Sequence, residues 1–166
     1  YILGDVVMGR RVESLELLRP IREHLDASGT LGLVSGNHDY CHPVAKKNWN
    51  EWETTYRTIF HEVCREASWV VSDNPTVVIR SCHFPTKADH TEEERHNKEE
   101  IDRYRPVLED NEVLIHGHLH AKSWFTGPKE IHIGVDADFT GFGVPRFHPI
   151  PLSVIENIIE TERHLT

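Results

Sequence analysis

Four short polar clusters in the chain carry residue types suited to metal chemistry: Gly4-Asp5, Gly36-Asn37-His38-Asp39, His83 and Gly117-His118-Leu119-His120. A carboxylate can bridge two cations, imidazoles are good ligands for borderline transition metals, and an Asn carbonyl can complete a shell. A glycine ahead of such a residue tolerates a sharp strand-to-loop bend and lets an ion or a phosphate approach the backbone. Each piece alone is weak, since a lone strand histidine is more often packed and hydrogen-bonded than a ligand. Gly-Asn-His-Asp directly after an apolar run is the specific piece. The 13 histidines carry meaning only through such positions at the ends of strands.

The elements that must position these clusters follow from periodicity. Residues 1–4 read as the end of a strand. Val12, Leu15, Leu18, Ile21 and Leu25 recur at helical spacing, with Pro20 expected to kink or split that helix. Leu31 to Ser35 reads as a buried strand running into Gly36, and Asn48 to Arg65 as a helix with Trp49, Trp52, Tyr56, Ile59, Phe60 and Val63 along one side. Those aromatics are read first as core or lid packing. Trp69–Ser72 and Thr76–Ser81 flank the turn residues Asp73-Asn74-Pro75 and predict a hairpin ending at His83. Asp89 to Tyr104 is charged and reads as a solvated helix or an insertion. Val113–Ile115 and Ile131–Val135 predict strands, and Pro151 to Arg163 a closing helix. Strands alternating with helices, followed by a strand-rich second half, imply an α/β sandwich. Ligands in such sheets bind beyond the carboxyl ends of strands, so the four clusters are expected to converge.

Composition narrows the classes. At 166 residues, 38% hydrophobic and 27% charged, the chain fits one globular domain spanning 1–166, with no apolar run long enough for a bilayer; a soluble protein is expected. A formal charge of −9 argues against a broad grip on nucleic acid, which stays possible but not favoured; Arg10-Arg11 and Lys46-Lys47 are too few and dispersed for a basic groove. Cys41, Cys64 and Cys82 form no CxxC pair, so neither a disulfide framework nor a thiolate zinc site is indicated, and a reducing cytoplasm is the expected home. The chain opens at Tyr1, inside what reads as a strand, and is expected to belong to a longer polypeptide. Composition leaves the oligomeric state open.

In order and rough spacing the four clusters resemble those of calcineurin-like metallophosphoesterases, across nearly the whole chain. His132-Ile133-Gly134-Val135-Asp136 followed by Pro151-Leu152-Ser153 is similar to the closing strand and helix of small phage and bacterial members. The resemblance implies an α/β/β/α sandwich lacking its first strand here. It also implies hydrolysis of a small phosphate ester by a two-metal mechanism with in-line attack and no nucleophilic side chain. Asp5 would bridge two divalent ions (manganese, iron, zinc or nickel). Asn37, His83 and His118 would complete one ion's ligands, and His120 would bind the other. His38 would act near the leaving-group oxygen, with Asp39 and His116 as supporting residues, His116 pointing the same way as His118 by strand alternation. A phosphodiesterase or phosphatase, acting on nucleotides or cyclic nucleotides, is the leading expectation. The family's opening Asp-x-His has no counterpart from Tyr1 onward, and Met8 stands where many members carry an Asp that pairs with the catalytic His. A catalytically degenerate metal-binding module is therefore the alternative. His24, His61, His90, His96 and His164 are read as surface residues.

Overall fold

The computed structural model describes residues 1–7, 12–25, 29–73, 75–87 and 98–162. Short β-branched runs set the frame. β3 (Glu66–Asp73) and β4 (Thr76–Cys82) form the predicted antiparallel hairpin. β4 then pairs in parallel with β5 (Glu112–His116), β5 in parallel with β7 (Glu130–His132), and β7 antiparallel with β6 (Phe125–Gly127). The result is a five-stranded mixed sheet in the order β3-β4-β5-β7-β6. A second sheet holds β1 (Gly32–Val34) and β2 (Glu62–Cys64) in parallel, and Ile2 adds a parallel bridge to Leu33. The architecture is mixed α/β.

Strand alternation divides the core. Ile79, Val113, Ile115 and Ile131 are buried with Ile155, Ile158 and Ile159 of α3 (Leu152–Thr161), a helix whose apolar residues fall at the three-and-four spacing of one face. Cys82 and Leu114, of opposite parity on the same strands, are buried instead with Phe84 and Ile101. A third cluster joins Val7, Leu15, Leu33, Tyr56, Ile59 and Phe60 around the small sheet.

Several boundaries differ from the sequence reading. The helix expected over Val12–Leu25 is split into a 3-10 helix (Val12–Leu18) and α1 (Arg19–Leu25), as expected beside Pro20, whose nitrogen cannot donate into the preceding turn. The helix expected from Asn48 to Arg65 ends early: α2 spans Trp49–Tyr56, and β2 follows. Residues from His61 onward bond to the β1 segment instead, with the His61 N–H on the Leu31 carbonyl and the Leu31 N–H on His61 Nδ1, both at 2.9 Å. Tyr56, Ile59 and Phe60 are core residues, not a lid. β7 stops at His132 because the chain turns at Gly134, whose carbonyl accepts the Ala137 N–H at 2.9 Å. Residues 98–102 are helical and bury Ile101, so that end of the charged segment is not wholly solvated. Residues 89–97 of that segment, like Met8, Arg10-Arg11, His90, His96 and His164, lie outside the described residues. Among the described residues no helix is long and apolar enough to cross a membrane.

Candidate metal centre

The parallel strands deliver their carboxyl ends side by side. Cys82 and His116 are register partners closing β4 and β5, so His83 and Gly117-His118 emerge next to each other, while β1 ends into Ser35-Gly36-Asn37 and the Ile2 bridge into Gly4-Asp5. At that junction Asp5, His83 and His118 each present one donor atom, all within 4.8 Å of one another. Asn37 Oδ1 lies 3.0 Å from both His83 Nε2 and His118 Nδ1; the two ring nitrogens are 3.3 Å apart, and Asp5 Oδ2 is 3.2 Å from His83 Nε2. Ligands about 2.1 Å from one ion at tetrahedral angles lie roughly 3.4 Å from each other, so this N and O set fits a single first-row divalent cation.

The site is held from outside its donor atoms. His83 Nδ1–H donates to the Leu3 carbonyl at 2.8 Å, which turns Nε2 toward the cluster. Asp39, fully buried, accepts backbone N–H groups from Asp5 (2.8 Å) and Gly36 (2.9 Å) on one oxygen and from Val6 (3.0 Å) and Val7 (3.2 Å) on the other. Each carboxylate oxygen thus takes two backbone donors. Asp39 therefore positions the Asp5 loop. The His38 backbone N–H donates to Asp5 Oδ1 at 3.0 Å.

Two of the candidate ligands, Asp5 (φ 57°) and His118 (φ 64°), occupy the left-handed region that few non-glycine residues adopt. Such conformations persist where surroundings impose them and cluster at functional sites. The preceding glycines are steric necessities. A Cβ on Gly36 would sit 2.8 Å from the Asp5 nitrogen, and one on Gly117 would sit 2.7 Å from the Leu3 carbonyl oxygen.

Electrostatics follow from this packing. Burial works against a charged Asp5, but the hydrogen bond and attraction of His83, with the His38 N–H, outweigh it and bring its pKa down to about 2. Burial likewise opposes a charged His83, and Asp5 with the Leu3 carbonyl more than offsets it, so its pKa is raised. Burial is the main force on Asp39 too; with the Asp5 carboxylate close by, it pushes the carboxyl up to about 6 against its N–H donors.

The structure thus brings together Asp5, Asn37, His83 and His118, with His38 lining the same cleft. His120 lines that cleft without joining the donor set: its side chain is 88% exposed and Nδ1 lies 3.0 Å from Asp136 Oδ2. Asp136, the residue ending the apolar run 131–135, was not singled out from sequence although the same strand-end logic reaches it. His116 does not point with His118. β5 ends at His116, and the left-handed turn at His118 breaks the alternation on which that expectation rested. Fully buried, His116 stacks on His132 at 5.4 Å between ring centroids, with Nδ1–H on the Gly117 carbonyl (2.9 Å) and Nε2 2.7 Å from Thr126 Oγ1. Its hydrogen bond to the Gly117 carbonyl joins it to the peptide that carries His118.

No protein-family model matches the chain. It is 32% identical over 145 residues to the Gene 66 protein of Mycobacterium phage L5 and 31% identical over 143 residues to the Gene 66 protein of Mycobacterium phage D29, in both cases across 82% of this chain. The chain spans 65% and 66% of the length of these relatives. Among solved structures it is similar to the protein of unknown function AQ665 from Aquifex aeolicus, with a TM-score of 0.57 over 95% of this chain and 74% of that one. At 22% identity that likeness shows a shared fold alone.

Proposed function

We propose that the chain is a metal-dependent hydrolase of phosphate esters, built as a calcineurin-like metallophosphoesterase sandwich. The observation carrying this reading is that four donor groups from four separate strand-end segments meet at one point, with Asp5, Asn37 and His118 each placing a donor atom 3.0–3.3 Å from His83 Nε2. Packing alone gives no reason to gather two imidazoles, a carboxylate and an amide carbonyl there, two of them on strained backbone.

In this reading Asp5, Asn37, His83 and His118 hold one divalent cation, and Asp5 with His120 contributes to a second. Bound cations supply charge neutralisation of the phosphoryl oxygens and a nucleophile at neutral pH. The chain's own residues do the rest. Asp39 holds the Asp5 backbone N–H, the His38 N–H holds Asp5 Oδ1, the Leu3 carbonyl fixes the His83 ring, and the His38 side chain, on the same cleft, donates a proton to the departing alcohol oxygen. The test is hydrolysis of bis-p-nitrophenyl phosphate with and without manganese, on this chain and on a form extended upstream of Tyr1, with His38→Ala and Asn37→Ala variants. Metal-dependent turnover lost in both variants supports the hydrolase. Metal binding without turnover of the diester or its monoester rejects it.

The contact of His120 with Asp136 favours a second reading, a metal-binding module with one ion, because among the described residues only one three-ligand set is assembled. The same assay separates the two.

A further inference from the structure

A second cavity, of about 610 Å³, has the volume of a small-ligand site and shares no lining residue with the cleft of the candidate centre. It is built between residues 35 and 104, from the loop after β1, α2, β2, the end of β4 and the segment leading to β5. The buried Phe84 ring packs edge-on against His42 of this cavity and against His83 and His118 of the centre, at 5.6, 5.0 and 5.1 Å between centroids. The two places therefore back onto one aromatic ring.

The floor is uncharged. Cys41, His42 and Cys82 are buried there, and burial is the main force on all three, pushing both thiols up and the imidazole down, so each is neutral near pH 7. His42 Nδ1 accepts the Val44 N–H at 3.2 Å, which puts the proton of the neutral ring on Nε2, a donor with no acceptor among the described residues.

Charge is confined to the rim. Glu53 is answered by Arg57 at 2.7 Å, and Glu66 lies 3.8 Å from Arg80. Arg65 and Arg103 also line the rim, and among the described residues neither has a carboxylate partner. Arg65 stands over the Trp49 ring, 5.6 Å from its centroid, and Tyr104 packs edge-on against His42 at 4.9 Å. In a chain of net charge −9, two arginines without carboxylates beside two half-buried aromatic rings suit an anion that carries a ring of its own.

We infer that this cavity is a second ligand site, for a small aromatic anion: a flat ring bearing a phosphate or a carboxylate, the ring against Trp49 and Tyr104 and the anion on Arg65 and Arg103. Guanidinium groups match both anions with paired N–H donors, and flat rings are held by stacking. The inference is independent of the hydrolase reading.

The experiment is calorimetric titration of the chain in chelator, with adenosine monophosphate as the phosphate probe and indole-3-carboxylate as the carboxylate probe. Adenosine and indole lack the anion, and ribose 5-phosphate lacks the ring. The expected result is that at least one probe binds at least tenfold more tightly than its uncharged or ringless comparison, and which probe does so identifies the anion. Its affinity should fall at least tenfold in the double variant Arg65→Gln with Arg103→Gln, and stay at the wild-type value in Asn37→Ala. Both arginines are exposed, so the double variant should fold. Binding of neither probe, affinity unchanged in the double variant, or binding lost in Asn37→Ala but kept in the double variant, which would seat the probe among the candidate metal ligands, overturns the inference.

Discussion

The Asp39 carboxylate accepts the backbone N–H of Asp5 at 2.8 Å, so one buried acid sets the position of the other. The same carboxylate also gathers Val6, Val7 and Gly36, and thereby joins the Gly4-Asp5 loop to the Gly36-Asn37-His38-Asp39 turn. Replacing it with Ala would leave four N–H groups without their acceptor. Each buried polar group left unmade costs about 1–3 kcal/mol, so Asp39→Ala should lose at least about 3 kcal/mol of unfolding free energy in urea titrations. A loss below about 1 kcal/mol would show that the clamp is not needed.

The donor set makes a graded prediction for metal binding. A cation that binds the folded chain alone stabilises it by about 2.7 kcal/mol at one hundred times its dissociation constant. Manganese, zinc or nickel should therefore raise the melting temperature of the wild type. The shift should disappear in His118→Ala and Asn37→Ala and largely persist in His120→Ala, because His120 faces Asp136 and solvent. Equal shifts in His118→Ala and wild type would remove the centre.

The strand-end clusters were legible in sequence because an apolar run stopping at glycine and followed by polar residues encodes both the bend and the donor. Convergence of Asp5, Asn37, His83 and His118 needed only the rule that parallel strands expose ligands at their carboxyl ends. What was not legible depended on long-range pairing. Ile59, Phe60 and Val63 continue the helical spacing of Trp52 and Tyr56, and only the distant partner β1 makes residues 62–64 a strand. β6 and β7 are three residues each, too short for a period of two to register. The roles of Asp39 and His116 depended on a loop and a left-handed residue that no alternation rule anticipates.

Close packing of the glycines predicts a sharp response to one methyl group. In Gly36→Ala the new Cβ would lie 2.8 Å from both the Asp5 nitrogen and His83 Cε1, neither of which is the free end of a flexible chain. Overpacking of this kind typically costs about 1–3 kcal/mol. Here it should also weaken metal binding at least about tenfold, about 1.4 kcal/mol, because the groups displaced hold the donors. Calorimetric titration with manganese checks this; unchanged affinity would mean that the glycine is required only by the bend.

His42 predicts a pH dependence separate from the candidate ligands. Its ring packs edge-on against Phe84 and Tyr104, at 5.6 and 4.9 Å between centroids, and its Nδ1 accepts the Val44 N–H at 3.2 Å. Burial, helped by repulsion from His83 and Arg65, lowers its pKa from the ordinary 6.5 to about 3. Between those values the unfolded chain holds a proton that the folded chain refuses. The stability contributed by the neutral ring is thus complete above pH 6.5 and is lost as pH falls toward 3, by up to about 1.4 kcal/mol per pH unit. His116, lowered to about 3, and His132, also lowered, act in the same direction, so the wild type alone cannot isolate His42. The difference in unfolding free energy between wild type and His42→Gln, measured in chelator, should shrink by about 3 kcal/mol between pH 7 and pH 4. A difference that stays constant across that range would show that His42 is protonated equally in both states.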